Sequence, residues 1–352
     1  MKKKLLGQSL EELRAWFSGI GHKPFHANQI IEWIYAKKTT EIARMTNVSL
    51  SLRKEIEENF DVGLLTLVRV QESQDKETIK FLWKLDDGNM VESVLIMSDD
   101  RRTVCVSSQV GCPASCAFCA SGKQGLFRNL EAHEIIAQVY QIDLWLSEKN
   151  ERVSHIVYMG MGEPFRNYEA VVKSIRHLID PNMLQLSQRR ITVSTVGVVE
   201  GIKRFTHEGI KVNLVLSLHA PNQNIRKKII PYARQYAIED VLQAMYDYAD
   251  ETGRDITFEY TLLAGINDAP EHAEELAALL RGKQCTVNLI PYNPVAGLKL
   301  TRPSHQAIIT FRKILTDRKI VNTCRYTKGD DIAAACGQLA LQERNTLKVV
   351  NE

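Results

Sequence analysis

Three cysteines lie within eight residues of the segment "VGCPASCAFCASG", at Cys112, Cys116 and Cys119. Thiolates this close in a loop can converge on one soft metal centre, although a zinc site, a disulfide or buried thiols would use the same residues. Zinc normally takes four ligands, and no matching second pair of cysteines follows nearby. A [4Fe–4S] cluster ordinarily takes four thiolates, so three ligands would leave one iron with an open coordination position. The spacing therefore favours an iron–sulfur centre at which chemistry can occur.

A second chemical signal is the segment "MGMGEP", which ends the next predicted strand. Gly160 and Gly162 would let a ligand approach the backbone closely, and Glu163 offers a carboxylate to an ammonium group. Alone, glycine and glutamate at a strand end usually form a turn. Later strands also end in residues of this kind, each more often a hydrogen-bonded loop residue than a ligand. They are Ser194, Ser217, Leu218, His219 and Asn293.

The elements that must position these residues follow from the chain after residue 103. Short apolar, β-branched runs alternate there with helix-length amphipathic segments such as "EAHEIIAQVYQIDLWLSEK". This alternation predicts a parallel sheet with right-handed crossovers, either doubly wound or an incomplete barrel. We favour an α/β fold with a partial (β/α)6 TIM-like barrel, whose active site would lie at the carboxyl ends of the strands. The predicted strands are "TVCVSS", "HIVYMGM", "RITVST", "VNLVLSLH", "ITFEYTLL" and "TVNLIPYN".

The first part of the chain has a different pattern. Residues 9–60 contain short amphipathic segments broken by glycine-containing turns, which predicts an N-terminal helical accessory domain. Three β-rich runs between residues 64 and 97 predict a small antiparallel sheet that links this domain to the core. We therefore divide the chain into residues 1–96, with the helices and the small sheet, and residues 97–352, with the core and a C-terminal segment containing "YTKGDDIAAACGQLA".

The composition argues against some classes of protein but does not identify a binding partner. Forty-five basic and forty-two acidic residues give a net charge of +3, which permits a nucleic-acid partner but does not argue for one. No apolar run is long enough for a membrane span, and the N-terminal segment lacks the pattern of a signal peptide, so we expect a cytoplasmic protein. Seven cysteines, an odd number, argue against a disulfide framework.

The motifs together resemble a known family. The cysteine spacing, with Phe118 just before the last cysteine, resembles the signature of radical S-adenosylmethionine (SAM) enzymes. The ordered set of segments resembles the dual-specificity adenine-C2 RNA methyltransferases of the RlmN type, over about residues 90–340. The segments are "CVSSQVGCPASCAFCASG", "MGMGEP", "ITVSTVGVV", "LSLHAPN", "NLIPYNP" and "GDDIAAACGQLA".

The resemblance implies two cofactors and assigns residues to them. Cys112, Cys116 and Cys119 match the ligands of a [4Fe–4S] cluster, and the fourth iron would be chelated by the amino and carboxylate groups of SAM. Two molecules of SAM would be used per turnover. The positions that match the SAM site of the family are Gly162, Glu163, Ser194, Ser217, Leu218, His219 and Asn293.

The resemblance also assigns a catalytic role to residues that the sequence alone would not select. Cys336 matches a cysteine that is methylated, Cys105 matches its partner, and Glu92 matches a proposed proton acceptor. Without the resemblance, the two cysteines would be interpreted as small buried hydrophobes and Glu92 as a solvated strand residue. Cys285 and Cys324 match no motif, and we expect them in the core.

The implied chemistry explains how an unreactive ring carbon of adenine could be methylated. The ring carbon between two adenine nitrogens is electron-poor, so a direct polar methyl transfer is implausible, whereas a thiolate can take a methyl group from SAM. A 5′-deoxyadenosyl radical from a second SAM would then activate the methyl group on Cys336 for addition to the base. A transient disulfide between Cys105 and Cys336 would release the product. These two cysteines must therefore meet over the mouth of the barrel, with Cα atoms within about 7 Å.

The partners implied by the family are 23S rRNA, before full ribosome assembly, and tRNA. The targets would be an adenosine in the peptidyl-transferase centre and the adenosine 3′ of the anticodon, and the base would have to flip out of its stack. An electron donor such as flavodoxin is expected, with no membrane partner and a monomeric protein. Basic clusters could contact phosphates or could simply be solvated. They are Arg101-Arg102, Arg189-Arg190 and Arg226-Lys227-Lys228.

Three other functions compete with this interpretation. A sister enzyme methylates carbon 8 of adenine and confers antibiotic resistance, although Pro164 in "MGMGEP" favours the carbon-2 enzyme. A non-catalytic iron–sulfur protein would normally have a fourth protein ligand and would not need Cys336. A radical SAM enzyme that inserts sulfur into tRNA usually needs an auxiliary cluster, for which Cys285 and Cys324 offer too few ligands.

Overall fold

The computed structural model describes residues 2–325 and 328–339, so the first two residues and the last residue of "YTKGDDIAAACGQLA" lie outside it, as do residues 341–352. Most strands of this part belong to one ten-stranded sheet. The strands are β1 Lys3–Lys4, β2 Phe60–Asp61, β3 Thr66–Glu72, β4 Thr78–Lys84, β5 Met90–Ser98, β6 Arg101–Cys105, β7 Gln109–Gly111, β8 Leu126–Asn129, β9 His155–Tyr158, β10 Ile191–Thr195, β11 Asn213–Ser217, β12 Ile256–Leu262, β13 Cys285–Pro291 and β14 Val321–Cys324.

Helices connect consecutive strands of the core. Apolar residues on one face of each helix are buried, as in α6, where Val171, Ile175 and Leu178 are fully covered. The helices are α1 Leu10–Gly19, α2 His26–Ile31, α3 Leu50–Asn59, α4 Ala120–Gln124, α5 Ala132–Ser147, α6 Tyr168–Ile179, α7 Val199–Thr206, α8 Gln223–Ile229, α9 Ile238–Thr252, α10 Pro270–Leu279 and α11 His305–Asp317. No helix of residues 2–325 and 328–339 has the length and apolar character that a membrane crossing needs.

The core confirms the predicted α/β fold. All six predicted strands are present as β6 and β9 to β13, and each is parallel to its neighbour in that order. A seventh parallel strand, β14, follows β13 and was not predicted. Within the described residues, β3 and β14 form the two edges of the sheet and do not pair with each other, as expected for a partial barrel.

The predicted linking strands are present, but they do not form a sheet of their own. The antiparallel strands β3, β4 and β5 continue the core sheet, because β5 pairs with β6 through Val94 opposite Cys105. The cause is burial: residues 90–95 of β5 are buried on both faces, so this strand needs a neighbour on each side. The sheet therefore crosses residues 96 and 97, and the division into two domains stays a prediction.

The N-terminal helices pack beside α5 of the core. Ser9 and Glu12 form a capping box that begins α1, and Ser49 caps α3. After α2 the chain continues as a π-helical turn from Glu32 to Ala36. The hydroxyl of Tyr140, on α5, donates to carbonyl oxygens in the segment after α2, at 3.0 Å from Ile34 and 3.1 Å from Thr39. These buried contacts join the helical segment to the core.

Candidate active site

Two adjoining cavities lie at the carboxyl ends of the core strands. We call the first the strand-end cavity. Among the residues on its wall are Cys112, Cys116, Cys119, Gly162, Glu163, Ser194, Ser217, His219, Asn293 and Cys336. We call the second the cysteine-pair cavity. Among the residues on its wall are Cys105, Cys119, Asn293, Arg325, Lys328 and Cys336. Cys119, Asn293 and Cys336 belong to both walls, so the two cavities meet there.

The cysteine loop is held by backbone hydrogen bonds at several points. The Cys112 N–H donates to the carbonyl of Gly125 at 2.9 Å, and the Ala117 N–H donates to that of Ile229 at 2.8 Å. Gly122 permits the loop to turn this tightly, since a Cβ there would lie 2.9 Å from the backbone nitrogen of Cys116. The three cysteines are therefore positioned by the loop backbone.

The thiols of this loop are poorly placed to ionise without a metal. Burial raises the pKa of Cys112 to about 12 and raises the pKa values of Cys116 and Cys119 as well. In the described part of the chain, no group of three or more His, Cys, Asp or Glu side chains could hold a metal ion. The three thiols line one cavity, and cysteine thiolates are the donors that hold iron–sulfur clusters, so the donor set fits such a cluster.

Glu163 is a buried carboxylate at the end of β9. It accepts hydrogen bonds from the Thr195 hydroxyl at 2.8 Å and from the backbone N–H groups of Val196 at 2.8 Å and Phe165 at 3.2 Å. Burial nevertheless raises the pKa of Glu163 to about 7. A neighbouring ammonium group would favour the charged form of this side chain.

The glycines of "MGMGEP" bring the backbone close to the preceding strand. A Cβ on Gly160 would lie 2.7 Å from the carbonyl oxygen of Val106, and one on Gly162 would lie 2.6 Å from the Ser108 hydroxyl. Gly162 also has a φ of 111°, which side chains other than glycine rarely adopt. Larger residues would therefore push this wall of the strand-end cavity outward.

His219 is neutral and fixed in one tautomer. Its Nδ1 accepts from the backbone N–H of Thr261 at 2.9 Å, which leaves the proton on Nε2. Burial lowers the pKa of His219 to about 3, and the ring packs edge-on against Phe118 with centroids 4.9 Å apart. His219 can therefore donate a hydrogen bond from Nε2 without carrying a charge.

The other residues predicted to bind SAM do not all line the strand-end cavity. The hydroxyls of Ser194 and Ser217 lie 3.2 Å apart on the wall of the strand-end cavity. The Asn293 amide donates to the carbonyl of Cys336 at 3.2 Å, so it holds the segment that carries this cysteine. Leu218 is fully buried and does not line the cavity, although its backbone N–H donates to the carbonyl of Glu259 at 3.1 Å.

Cys105 and Cys336 lie on one cavity wall although they are far apart in the chain. Both thiols are free, and burial raises the pKa of each, to about 12 for Cys105. The C-terminal segment reaches this position across the sheet. The Gln74 N–H donates to the Asp331 carboxylate at 2.8 Å, and the Lys80 ammonium donates to the carbonyl of Ala333 at 3.3 Å. The described part of the C-terminal segment therefore closes one side of the cysteine-pair cavity.

Glu92 is close to this cavity but is not part of its wall. The side chain is 7% exposed and forms an ion pair with the buried Lys80 at 3.2 Å. It shares a face of β5 with Val94 and Ile96, which do line the cysteine-pair cavity. Its predicted role as a proton acceptor stays a prediction.

Arg226 fits neither expectation for its basic cluster, a phosphate contact or a solvated surface, because the residue is fully buried. Its guanidinium donates to the carbonyls of Val196 at 2.6 Å and Leu218 at 3.3 Å, and so ties two strand ends together. The sequence held a signal: Ile229 and Ile230 follow three and four positions later, on the same helix face. Lys227 and Lys228 are exposed, as expected for a solvated or phosphate-binding cluster.

The remaining arginines and the two unassigned cysteines differ in exposure and in their partners. Arg102 pairs with Glu151 through two contacts of 2.5 and 2.7 Å, whereas Arg101 is exposed. Cys285 is buried as expected, and Cys324 is only partly buried. Sequence reasoning missed Arg325, Lys328 and Glu259, because none of them lies in a segment that carries the family resemblance. All three line the cavities.

Comparisons with known proteins agree with this geometry. The family model for the ribosomal RNA large subunit methyltransferase N-terminal domain matches residues 3–62, and the model for the radical SAM superfamily matches residues 106–280. A probable dual-specificity RNA methyltransferase RlmN 2 of Protochlamydia amoebophila is 67% identical over 334 residues, covering 95% of this chain and 93% of the relative. A probable dual-specificity RNA methyltransferase RlmN of Geobacillus kaustophilus is 45% identical over 336 residues, covering 96% of this chain and 92% of the relative.

A solved structure also matches nearly the whole chain. The crystal structure of a radical SAM methyltransferase from Sphaerobacter thermophilus has a TM-score of 0.94 and 44% sequence identity. The match covers 97% of this chain and 100% of the other. The likeness therefore includes both the N-terminal helices and the core sheet.

Proposed function

This chain belongs to the RlmN family of dual-specificity RNA methyltransferases, within the radical SAM superfamily, and we propose that it methylates carbon 2 of adenosine in 23S rRNA and in tRNA. One observation supports this most directly. Cys336 lies on the wall of the strand-end cavity and also on the wall that Cys105 shares. A methyl carrier needs this position, because it must face the methyl donor on one side and the base on the other.

The strand-end cavity is the proposed site of both cofactors. Cys112, Cys116 and Cys119 would hold a [4Fe–4S] cluster, and Glu163 would pair with the amino group of SAM. When bound, the cluster supplies the electron that cleaves SAM and generates a 5′-deoxyadenosyl radical. His219, which is neutral, can donate a hydrogen bond from Nε2 without repelling the positive charge of SAM.

The remaining residues of the proposed SAM site support it in different ways. Gly162 keeps the wall open by having no Cβ, and Ser194 and Ser217 offer a pair of hydroxyls. Leu218 would act through its place in the backbone at the end of β11, and Asn293 through its contact with the Cys336 segment.

Cys336 is the proposed methyl carrier. Its thiolate would displace the methyl group of SAM, the methyl donor, to give a thioether and S-adenosylhomocysteine. The carbonyl of Cys336 is held by the Asn293 amide, which fixes the backbone beside the donor. Cys336 also lines the cysteine-pair cavity, so the carrier would need no large movement between the two steps.

The cysteine-pair cavity is the proposed site of the target adenine. Its wall contains the apolar side chains of Val94, Ile96 and Val157, which suit the faces of a flipped base and exclude water. Cys105 would attack the sulfur of Cys336 and release the methylated RNA as the disulfide forms. Glu92 would accept the ring proton, and its carboxylate is held in place by the ion pair with buried Lys80.

The partners follow from this proposal. An electron carrier of the flavodoxin class would reduce the cluster, and the chain would act as a monomer in the cytoplasm. Free 23S rRNA, before full ribosome assembly, would expose the target adenosine better than the finished subunit does. The exposed Lys227 and Lys228 are candidate phosphate contacts.

Mass spectrometry of nucleosides from rRNA and tRNA tests the proposal. Cells that lose this chain should lose 2-methyladenosine from both RNAs, and re-expression should restore it. A methyl group at carbon 8 would instead identify the chain as the sister enzyme. Unchanged RNA, together with no 5′-deoxyadenosine from SAM and reductant, would favour a non-catalytic iron–sulfur protein, which would not need Cys336.

A further inference from the structure

Arg325 lies on the wall of the cysteine-pair cavity together with Cys105 and Cys336, and neither the motifs nor the proposed steps give it a role. It follows the last residue of β14, and its backbone N–H donates to the carbonyl of Leu289 on β13 at 2.9 Å. The side chain is accessible to solvent. Within the described residues, the guanidinium forms no ion pair and no hydrogen bond of its own, so its charge is available to the cavity.

The Cys105 thiol would need a nearby positive charge to ionise. Its surroundings are largely apolar, and burial raises the pKa of its thiol to about 12. The carboxylate of Glu259 and the thiol of Cys336 oppose ionisation further, whereas Arg325 favours it. A thiol in such a place is almost entirely protonated at neutral pH, yet the thiolate is the nucleophile in disulfide formation.

The second cation on this wall is already engaged. The Lys328 ammonium lies 2.6 Å from the Glu77 carboxylate and donates to the carbonyl of Met97 at 3.4 Å. Its charge is largely compensated by Glu77 before it can act on a thiol. Arg325 forms no ion pair in the described residues, although the Glu259 carboxylate interacts with it electrostatically. A guanidinium keeps its proton at every pH of interest.

Resting on the proposed function, we propose that Arg325 is a positioning residue for resolution of the protein–RNA adduct, in which its guanidinium stabilises the Cys105 thiolate that attacks the Cys336 sulfur. The S–S bond forms as the bond between that sulfur and the RNA methylene carbon breaks. The electron pair stays on the carbon, which takes up a proton and becomes the product methyl group. The two cysteine sulfurs are oxidised and the carbon is reduced, so the step needs no external oxidant.

The test compares three variants of the full chain, reconstituted anaerobically with its cluster. Arg325→Met removes the charge and keeps the length, Arg325→Lys keeps the charge, and Lys328→Met removes the compensated cation from the same wall. Each is given SAM, dithionite and a transcript of the peptidyl-transferase loop of 23S rRNA. Denaturing gels then measure the covalent protein–RNA adduct over time, between pH 7 and pH 10.

Arg325→Met should accumulate adduct at pH 7.5, with resolution at least about tenfold slower than in the unsubstituted chain, since one pKa unit changes the thiolate fraction tenfold. Raising the pH should restore resolution, because more Cys105 then ionises without the guanidinium. Arg325→Lys should resolve adduct at nearly the original rate, and Lys328→Met should slow resolution much less than Arg325→Met does.

Two results would overturn the role of Arg325: unchanged resolution in Arg325→Met, or slow resolution that is the same at every pH and is not rescued by lysine. A Cys105→Ala variant in parallel separates this from failure of the proposed function. That variant should hold its adduct at every pH. If it instead turned over cleanly, Cys105 would have no part in resolution, whatever Arg325 does.

Discussion

The two cavities at the strand ends are both small, about 120 Å³ for the strand-end cavity and about 80 Å³ for the cysteine-pair cavity, but their walls differ in kind. In the first, polar groups are fixed by neighbours, as Glu163 is by three donors and His219 is by a backbone N–H. In the second, two thiols and a guanidinium face mostly apolar side chains. The two cavities therefore differ mainly in the chemistry of their walls.

The difference indicates a division of labour. A cavity whose polar groups are held by hydrogen bonds can bind and orient a charged ligand without reorganising. An apolar cavity with reactive sulfurs can exclude water while covalent bonds are exchanged. Cys336 belongs to both walls, as do Cys119 and Asn293, but it carries a thiol that the proposed cluster does not use, so it is the residue proposed to act between the cavities.

The largest effect should come from removing this shared residue. Cys336→Ala should lower methylation of RNA by at least about a thousandfold, because among the described residues it is the cysteine on both walls that the proposed cluster does not use. Liquid chromatography and mass spectrometry of RNA digests measure the product, and the visible absorbance of the reconstituted protein reports the cluster. The cluster should remain.

The matched control is Cys285→Ala, which removes a buried cysteine outside both cavities. It should retain methylation within a fewfold. Product formation by Cys336→Ala at a comparable rate would mean that the cavities do not communicate through this sulfur.

Arg226→Met should give the next largest effect, on the frame of the strand-end cavity. Two strand-end carbonyls would lose their donor inside the protein, which should lower the free energy of unfolding by about 3 kcal/mol. Urea titration of the reconstituted protein measures this. The exposed neighbour in Lys227→Met should change the stability by less than about 0.5 kcal/mol. Equal stabilities would show that Arg226 does not hold these strand ends.

A smaller effect should follow from Gly162→Ala, which adds a Cβ against Ser108 and requires an unfavourable φ. We expect a loss of about 2 to 3 kcal/mol in unfolding free energy together with weaker SAM binding. Gly209 also has a positive φ of 68° but open space around its Cβ position, so Gly209→Ala should cost only about 1 kcal/mol and leave SAM binding unchanged. If both variants bound SAM normally, the absence of a Cβ at Gly162 would not matter for SAM binding.

The smallest effect concerns the charge of Glu163. Because burial raises its pKa to about 7, the free carboxyl takes up a proton as the pH falls below that value. Only the ionised form attracts the SAM ammonium group, so affinity should fall about tenfold for each pH unit below 7. Anaerobic equilibrium dialysis between pH 5.5 and 8 measures this. Glu163→Gln should bind weakly with little dependence on pH, and a steep dependence in that variant would assign the titration to another group.

The two cavities also differ in how far the sequence predicts them. Cys112, Cys116, Cys119 and Glu163 sit in short motifs at strand ends, where spacing and chemistry are local, and the parallel strands follow from apolar, β-branched runs. The cysteine-pair cavity joins β6 to a segment near the end of the chain, and only the family resemblance connected Cys105 with Cys336.

Three features of the structure depend on contacts between distant segments and could not be predicted from local sequence patterns. The charge on Arg226 predicted a surface residue, but buried carbonyls at two strand ends bind its guanidinium. The pairing of β5 with β6 could not be read from turn residues, because it depends on burial of β5 on both faces. The position of Arg325 depends on β14, a short strand with exposed residues and a weak sequence signal.

The most direct test of the two-cavity account is peptide mapping of the Cys105→Ala protein after one incubation with SAM, reductant and RNA. We expect a nucleotide-modified peptide in which a methylene group joins the Cys336 sulfur to carbon 2 of adenine. The unsubstituted chain should show only a transient trace of it. Release of methylated RNA by Cys105→Ala with no modified Cys336 peptide would contradict the account.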